Sequence, residues 1–421
     1  MAGPTIAFFP EGAYGPTNNC VGIGRVLRER GARVVFVVEE SFAGTLEAQG
    51  FEEALMRLKP KPEVEEEPGQ FWKDFIRDTA PQFRRPTIEQ LEGLILPIWQ
   101  ELVDGARYVD ERLAEIFDEL RPDVIVEDNV VTFPAVAACG QPWVRIVSCN
   151  PLELKDPALP PVFSGYPSAD TAGWEEFRRR YVELHEPLRR EFSDFCVGRG
   201  APPLPEGEFI HESPFLDLYL YPAEADYRRS RPLAPAWQRL DSCVRAASGT
   251  WEPPPGEGKL VYLSLGSLGS GDVELMRRLI GFLAETDHRV AVSMGPQHAE
   301  LELAPNMVGA EFLPQPAILP HVDVVVTHGG NNTVTESLHF GKPMVVLPLF
   351  WDQYDNAQRM DELELGIRLA PYEVEGDELR GAIDRLLADE TLARRLRAIS
   401  TRLHAQPGTV AAADAIERLA G

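Results

Sequence analysis

Short runs of apolar residues without polar alternation recur along this sequence, and most of them end at a loop that leads into a stretch of helical periodicity. Strands read this way when both of their faces are buried, which is the situation in a parallel sheet covered by helices. The first such unit is compact. Thr5-Ile-Ala-Phe-Phe9 is followed by a glycine- and proline-rich loop from Pro10 to Pro16, by helical spacing from Cys20 to Arg30 that stops at Gly31, and by a second run from Arg33 to Val38. Strand, loop, helix, glycine and strand make a βαβ unit. Further strands are predicted at Val124–Val126 and Val144–Val147, and helices over 88–120 and from Trp174 to Cys196. The alternation restarts at Leu260–Leu265, with a glycine loop at Gly266–Gly271, a helix over 272–284, and strands over 289–293, 308–312, 322–327 and 343–347. The end of the chain, 376–420, is helical in pattern.

A chain of 421 residues exceeds what one core usually serves. Between the two alternating halves lies a proline-rich stretch holding Pro232, Pro235 and Pro253-Pro254-Pro255. The division predicted is an N-terminal domain over 1–228, a linker over 229–258 and a C-terminal domain over 259–421, whose last helix can return to the first domain. The fold class is α/β, with two Rossmann-like, doubly wound domains facing a cleft. In such sheets ligands sit at the carboxyl ends of the strands.

Charge narrows the partners. Asp and Glu outnumber Lys and Arg by 66 to 41, for a net charge of −25, which disfavours a nucleic acid or an anionic membrane as a partner of the general surface. No run approaches the roughly 20 apolar residues of a membrane-spanning helix, and the N-terminus has no basic lead into an apolar core, so a cytoplasmic protein is expected. The five cysteines are scattered without metal-ligand spacing, so neither a zinc site nor any metal or cofactor is expected. Oligomeric state leaves no signature in the sequence.

The densest chemistry lies between Phe312 and Gln353. A buried strand ends at Thr327, and His328-Gly-Gly-Asn-Asn-Thr333 turns the chain into a helix starting near residue 331. Free N–H groups and the positive end of the helix dipole then face the cleft, and the glycines, Gly330 among them, let an anion approach the backbone. Asn332 and Thr333 add side-chain donors and His328 an imidazole, which together suit a pyrophosphate. Glu336, one turn on, suits the two hydroxyls of a ribose. Asp352 and Gln353, after a strand-like run, suit the vicinal hydroxyls of a hexose. Phe312 before Pro314-Gln315 offers a face for a base, a contact worth about 0.5–1.5 kcal/mol beyond area burial.

In order along the chain, Phe312-x-Pro-Gln315, Ile318-Leu-x-His321, Thr327-His-x-Gly330, Asn332-Thr333-x-x-Glu336 and Asp352-Gln353-x-x-Asn356-Ala resemble the nucleotide-sugar signature of the UDP-glycosyltransferase family, in its bacterial natural-product style. Ser264-Leu-Gly-Ser267 and Arg30-Gly31-Ala-Arg-Val-Val35 resemble further family segments, and the likeness extends more loosely over most of the chain. The resemblance implies a GT-B fold and inverting transfer of a hexose from a UDP- or dTDP-sugar to a small-molecule acceptor, with no metal. It implies that Phe312 stacks on the base and Gln315 touches its edge. His328, Asn332, Thr333 and Ser267 would hold the phosphates, Glu336 the ribose, and Asp352 and Gln353 the sugar.

One element departs from the pattern. The family's first loop carries Gly-His, whose histidine deprotonates the acceptor; here Gly15 is followed by Pro16, and the first histidine of the chain is His185. Asp128, just past a strand, matches the family's orienting aspartate. Three expectations stand open. A carboxylate takes the base role, Asp128 first and Glu11 second; the acceptor is acidic enough to need little help; or His211, another distant group or a partner protein completes the site. A nucleotide-sugar-binding helper without transfer activity, and a sugar-nucleotide epimerase, are the readings of other classes. Aromatic residues on loops of the first half, Phe71, Trp72, Phe75, Phe83, Phe133, Phe163 and Tyr166, suit a planar or lipophilic acceptor.

Overall fold

The structure is a computed structural model, and it describes residues 3–61, 79–247 and 249–421. Phe71, Trp72 and Phe75 lie outside the described residues. The first sheet holds β1 (Thr5–Pro10), β2 (Arg33–Glu39), β3 (Glu52–Met56), β4 (Val124–Asp128), β5 (Trp143–Val147), β6 (Leu216–Leu220) and β7 (Trp237–Leu240), in the order β3-β2-β1-β4-β5-β6-β7. The second holds β8 (Leu260–Ser264), β9 (Arg289–Ser293), β10 (Met307–Ala310), β11 (Val324–Thr327), β12 (Met344–Val346) and β13 (Gly366–Arg368), in the order β10-β9-β8-β11-β12-β13. Every pairing is parallel. The longer helices are α1 (Tyr14–Glu29), α2 (Leu96–Leu120), α3 (Trp174–Gly198), α4 (Val273–Ala284), α5 (Asn331–His339), α6 (Gln353–Glu362), α7 (Gly376–Ala388), α8 (Glu390–Ala405) and α9 (Gly408–Ala420). This is the doubly wound pair of Rossmann-like domains expected from the sequence.

Both sheets reverse their strand order at one place, between β1 and β4 and between β8 and β11. In register, Pro10 lies beside Asp128 at the first reversal, and Ser264 beside Thr327 at the second. The loops leaving these carboxyl ends diverge above and below their sheets and leave a crevice there. The two crevices face each other, because Asn332 at the start of α5 reaches the first domain and donates to the Gly15 carbonyl at 2.8 Å.

Two corrections concern boundaries. The stretch expected as a linker, 229–258, contains β7, which hydrogen-bonds to β6 as the edge of the first sheet. An edge strand tolerates neighbouring prolines because one row of its backbone groups needs no partner. Helix α1 starts at Tyr14, six residues before the predicted Cys20, because Pro16 sits in its first turn, where a missing N–H breaks nothing.

The final helix packs against the first domain. Ala412, Ala413 and Ile416 are buried in one cluster with Ile6, Phe8, Val21 and Ile23 of the first domain. The crossing is close enough that a Cβ on Gly22 of α1 would come within 3.1 Å of the Thr409 methyl. Arg30 holds Asp414 and Glu417, each at 2.7 Å.

Candidate functional site

The donor half is built by the turn from β11 into α5. Gly329 has φ +88°, a left-handed value that favours glycine, and a Cβ there would lie 2.7 Å from Val346 Cγ1. Gly330 has an ordinary φ of −57°, but its Cβ would lie 2.6 Å from His328 Nε2. On the other side, a Cβ on Gly266 would lie 2.7 Å from the same nitrogen. The imidazole edge is therefore held between two glycines, one from each βα turn of this domain. Burial pushes the His328 pKa down to about 4, against a smaller upward pull from the Ser264 backbone. At neutral pH the ring is an uncharged N–H donor.

One turn into α5, Glu336 is buried and doubly held. Its Oε2 accepts from Gln315 Nε2 at 2.6 Å and its Oε1 from Arg245 Nη1 at 3.0 Å. Burial raises its pKa, while Arg245 and Gln315 pull it down. Gln315 Oε1 in turn accepts from the Tyr262 hydroxyl at 3.3 Å, and Thr333 Oγ1 lies 3.5 Å from Gln315 Nε2. The residues expected at the base edge and the ribose thus touch. Phe312 stands half exposed at the rim, and its ring centroid lies 5.7 Å from that of Tyr14, an equally exposed ring of the first domain. Ser267 lies half-buried in the turn Gly266–Gly269.

Three expected side chains have other partners. Asn332, expected at the phosphates, donates from Nδ2 to the Gly15 carbonyl and accepts at Oδ1 from Asn19 Nδ2, both at 2.8 Å. Asp352, expected at the hexose, accepts from the Asn150 N–H at 2.8 Å and is pushed up to about 7 by burial. Gln353, itself buried, accepts at Oε1 from the backbone N–H groups of Leu349 and Phe350. For Asn332 and Asp352 the cause is closure: the two domains meet here, and each polar group entering the contact must find a partner. The seam continues through Asp355, which accepts from the backbone N–H groups of Phe163 and Gly165 at 2.6 and 2.8 Å.

On the opposite wall, Asp128 ends β4 and is buried. Its Oδ2 accepts from the Ser148 hydroxyl at 2.5 Å. Burial raises its pKa to about 8; the Ser148 hydrogen bond works against this and the nearby Glu11 charge adds to it. Glu11 follows β1, takes its N–H to the Asp128 carbonyl at 2.9 Å, and is itself pushed up to about 7 by burial. Pro16 has no proton to give or take. His211, weighed above as a distant base, does not serve: its ring nitrogens bond Thr132 Oγ1 at 2.8 Å and the Pro202 carbonyl at 2.9 Å.

Known proteins share this fold and parts of this sequence. Residues 277–419 match the family described as Erythromycin biosynthesis protein CIII-like, C-terminal domain. Over 98% of its length the chain is 27% identical to demethyllactenocin mycarosyltransferase of Streptomyces fradiae, covering 86% of that protein, and 27% identical to oleandomycin glycosyltransferase of Streptomyces antibioticus, covering 90%. The solved glycosyltransferase of kitacinnamycin superposes over the full length of both chains, with a TM-score of 0.73 and 26% identity. This chain is a glycosyltransferase with a GT-B fold, similar to enzymes of the bacterial natural-product type.

In this glycosyltransferase the aromatic residues of the first half divide. Phe83, Phe133 and Phe163 have buried side chains: Phe83 stacks on Phe350, Phe133 packs edge-on against Phe9, and the Phe163 ring centroid lies 4.3 Å from that of Trp351. Tyr166 is partly exposed and meets Phe177. Both Phe163 and Trp351 have left-handed backbones, with φ of +69° and +57°. The sequence reading missed Asn19, Ser148, Asn150 and Arg245. The first three have no motif spacing, and Arg245 lies in the stretch taken for linker. Among the described residues no helix is long and apolar enough to cross a membrane.

Proposed function

We propose that the enzyme transfers a hexose from a UDP- or dTDP-sugar to a hydroxyl of a lipophilic or aromatic small molecule, with inversion at the anomeric carbon and with Asp128 in place of the absent histidine. The observation that carries the reading is a buried carboxylate, Asp128, at one crevice, tied by hydrogen bonds to the helix start at the other. The acceptor oxygen attacks the anomeric carbon from the face opposite the diphosphate, and a new C–O bond forms as the old one breaks. The acceptor proton passes to the free oxygen of Asp128. The leaving diphosphate gains negative charge against the N–H groups of α5 and the neutral N–H of His328. A base raised to about 8 is well matched to this task, because proton transfer is most effective when the base pKa is near the working pH.

The names of the full-length relatives, a demethyllactenocin mycarosyltransferase and an oleandomycin glycosyltransferase, support a small-molecule acceptor. The helix terminus and His328 supply the diphosphate's partners without a metal, so none is part of this reading. Purified enzyme incubated with candidate donors and an acceptor library, read by mass spectrometry, identifies the pair. With that pair, Asp128→Asn is expected to lower kcat by at least ~100-fold, within the usual range for loss of a general base. Wild-type turnover in this variant sinks the assignment. Glu11→Gln, measured beside it, reads the second carboxylate.

A further inference from the structure

We propose that Asn19 and Ser148 are positioning residues that carry the orientation of the closed donor half to Asp128, leaving one defined carboxylate oxygen to take the acceptor proton. The inference rests on the reading of Asp128 as the base. It begins from a backbone group that has no choice. The Gly15 carbonyl can only accept, so the amide nitrogen of Asn332 must face it, at 2.8 Å. The Asn332 Oδ1 then points to Asn19, and only the nitrogen of the Asn19 amide can donate to it, at 2.8 Å. That nitrogen has a second hydrogen, which goes to Ser148 Oγ at 2.9 Å. Ser148 therefore accepts from Asn19 and uses its one proton on Asp128 Oδ2, at 2.5 Å.

Every donor in the series is assigned by the one before it. The series crosses from the second domain to the first and joins residues 313 and 129 positions apart. Asn19 itself is buried in α1, where an amide without two partners would be unfavourable. Open domains lack the Asn332 link, so one hydrogen of Asn19 is released and the direction of the Ser148 proton is no longer imposed. In the closed state the Ser148 hydroxyl holds Asp128 Oδ2 and the Ser148 backbone N–H also holds the carboxylate, which fixes the direction of Oδ1, the oxygen this proposal assigns to the acceptor. Closure over the donor and readiness of the base are then one event. This gives Asn332 a role across the cleft, beside the phosphate contacts offered by the backbone of its own helix turn.

The test compares Asn19→Ala, Asn19→Asp, Ser148→Ala and Asp128→Asn for kcat, donor KM and the pH dependence of kcat, with donor affinity measured separately. Ser148→Ala removes a hydrogen bond to the ionised carboxylate, so the rising limb of the kcat profile is expected to move up by about one pH unit. Asn19→Ala is expected to lower kcat about tenfold with donor affinity within about threefold of wild type. Asn19→Asp, nearly the same shape, turns an acceptor toward both the Asn332 oxygen and Ser148 and is expected to be slower than Asn19→Ala. Where a variant at Asn19 does not fold, Ser148→Ala reads the same link from the other end. If Asp128→Asn is inactive while Ser148→Ala and the folded Asn19 variants keep wild-type kcat and pH midpoint, the relay is overturned and the base stands. If Asp128→Asn turns over normally, the base assignment fails and the relay with it.

Discussion

Gly329 and Gly330 are adjacent, yet adding one methyl group to each should give opposite phenotypes. In Gly330→Ala the backbone is at ease at φ −57°, and the new Cβ meets the far end of the His328 ring at 2.6 Å. An ordinary contact begins near 3.4 Å, so the imidazole must retreat by about 0.8 Å. Gly266 also lines the ring, where a Cβ would lie 2.7 Å from the same nitrogen, so the slot has little room to spare and the displaced ring loses its position. A hydrogen bond to a charged phosphate is worth about 1.5–3 kcal/mol, which corresponds to a roughly 10- to 150-fold weaker donor complex. In Gly329→Ala the backbone at φ +88° and the 2.7 Å approach to the buried Val346 Cγ1 both resist, with the Gln353 backbone carbonyl at 3.2 Å behind it. The left-handed conformation alone costs about 1–2 kcal/mol, and overpacking adds about 1–3. Isothermal titration with the nucleoside diphosphate and thermal melting of both variants separate the two. Gly330→Ala should bind weakly and melt within about 3 °C of wild type; Gly329→Ala should melt several degrees lower. Wild-type affinity in Gly330→Ala would refute the reasoning, because it would mean that the pinned ring does not touch the donor.

The remaining predictions follow from charge. Arg245→Met leaves the buried Glu336 carboxylate with Gln315 alone, so its pKa should rise further and donor affinity should become strongly pH-dependent, weakening toward acid pH; an unchanged profile in calorimetry would contradict the pairing. Folded Asp128, Glu127 and Asp352 are raised to about 8, 8 and 7, so their contribution to stability is full below the unfolded carboxylate range and is lost as pH rises through 7–8. His328, His185 and His339 are lowered to about 4, so their contribution is full above 6.5 and is lost as pH falls toward 4. The two sets oppose each other between pH 4 and 6.5, whereas only the carboxylates act above 6.5. Melting temperature should therefore drop from pH 6.5 to 8.5, and less steeply in Asp128→Asn. EDTA should leave turnover unchanged, since the proposed reading gives the diphosphate to the α5 terminus and His328; loss of activity restored by Mg²⁺ would count against this.

Much of the scaffold was legible because a strand buried on both faces leaves an unbroken apolar run. That signal marked β1, β2, β4, β5, β8, β9, β10, β11 and β12 within a residue or two. It fails at three of the four sheet edges, β3, β7 and β13. β3 reads Glu-Glu-Ala-Leu-Met and is mostly half exposed, and β13 has only three residues. It fails also at β6, where Asp217 interrupts the run while being fully buried beside Arg145 of β5. In the site, the strand-to-helix turn at His328–Thr333 was legible because local chain geometry builds it. The partners of that turn were not. Asn19 meets Asn332 of the turn only through packing of the two domains, as Asn150 meets Asp352, and Arg245 reaches Glu336 from the stretch after β7; no spacing in a sequence encodes an encounter over 313 residues. The missing histidine at Pro16 was visible at once, whereas the raised carboxylates depend on burial, which only the folded cleft supplies.

The return of α9 to the first domain has a mechanical consequence. The chain passes between the domains twice, once after β7 and once between α8, which packs with the second domain, and α9, which packs with the first. Arg402 pins the second passage on Glu224 and on Asp241, just beyond β7. A body tied at two points keeps chiefly one easy motion, rotation about the line that joins them. The jaws can then swing but hardly slide, so each closing stroke returns Asn332 to the same neighbours.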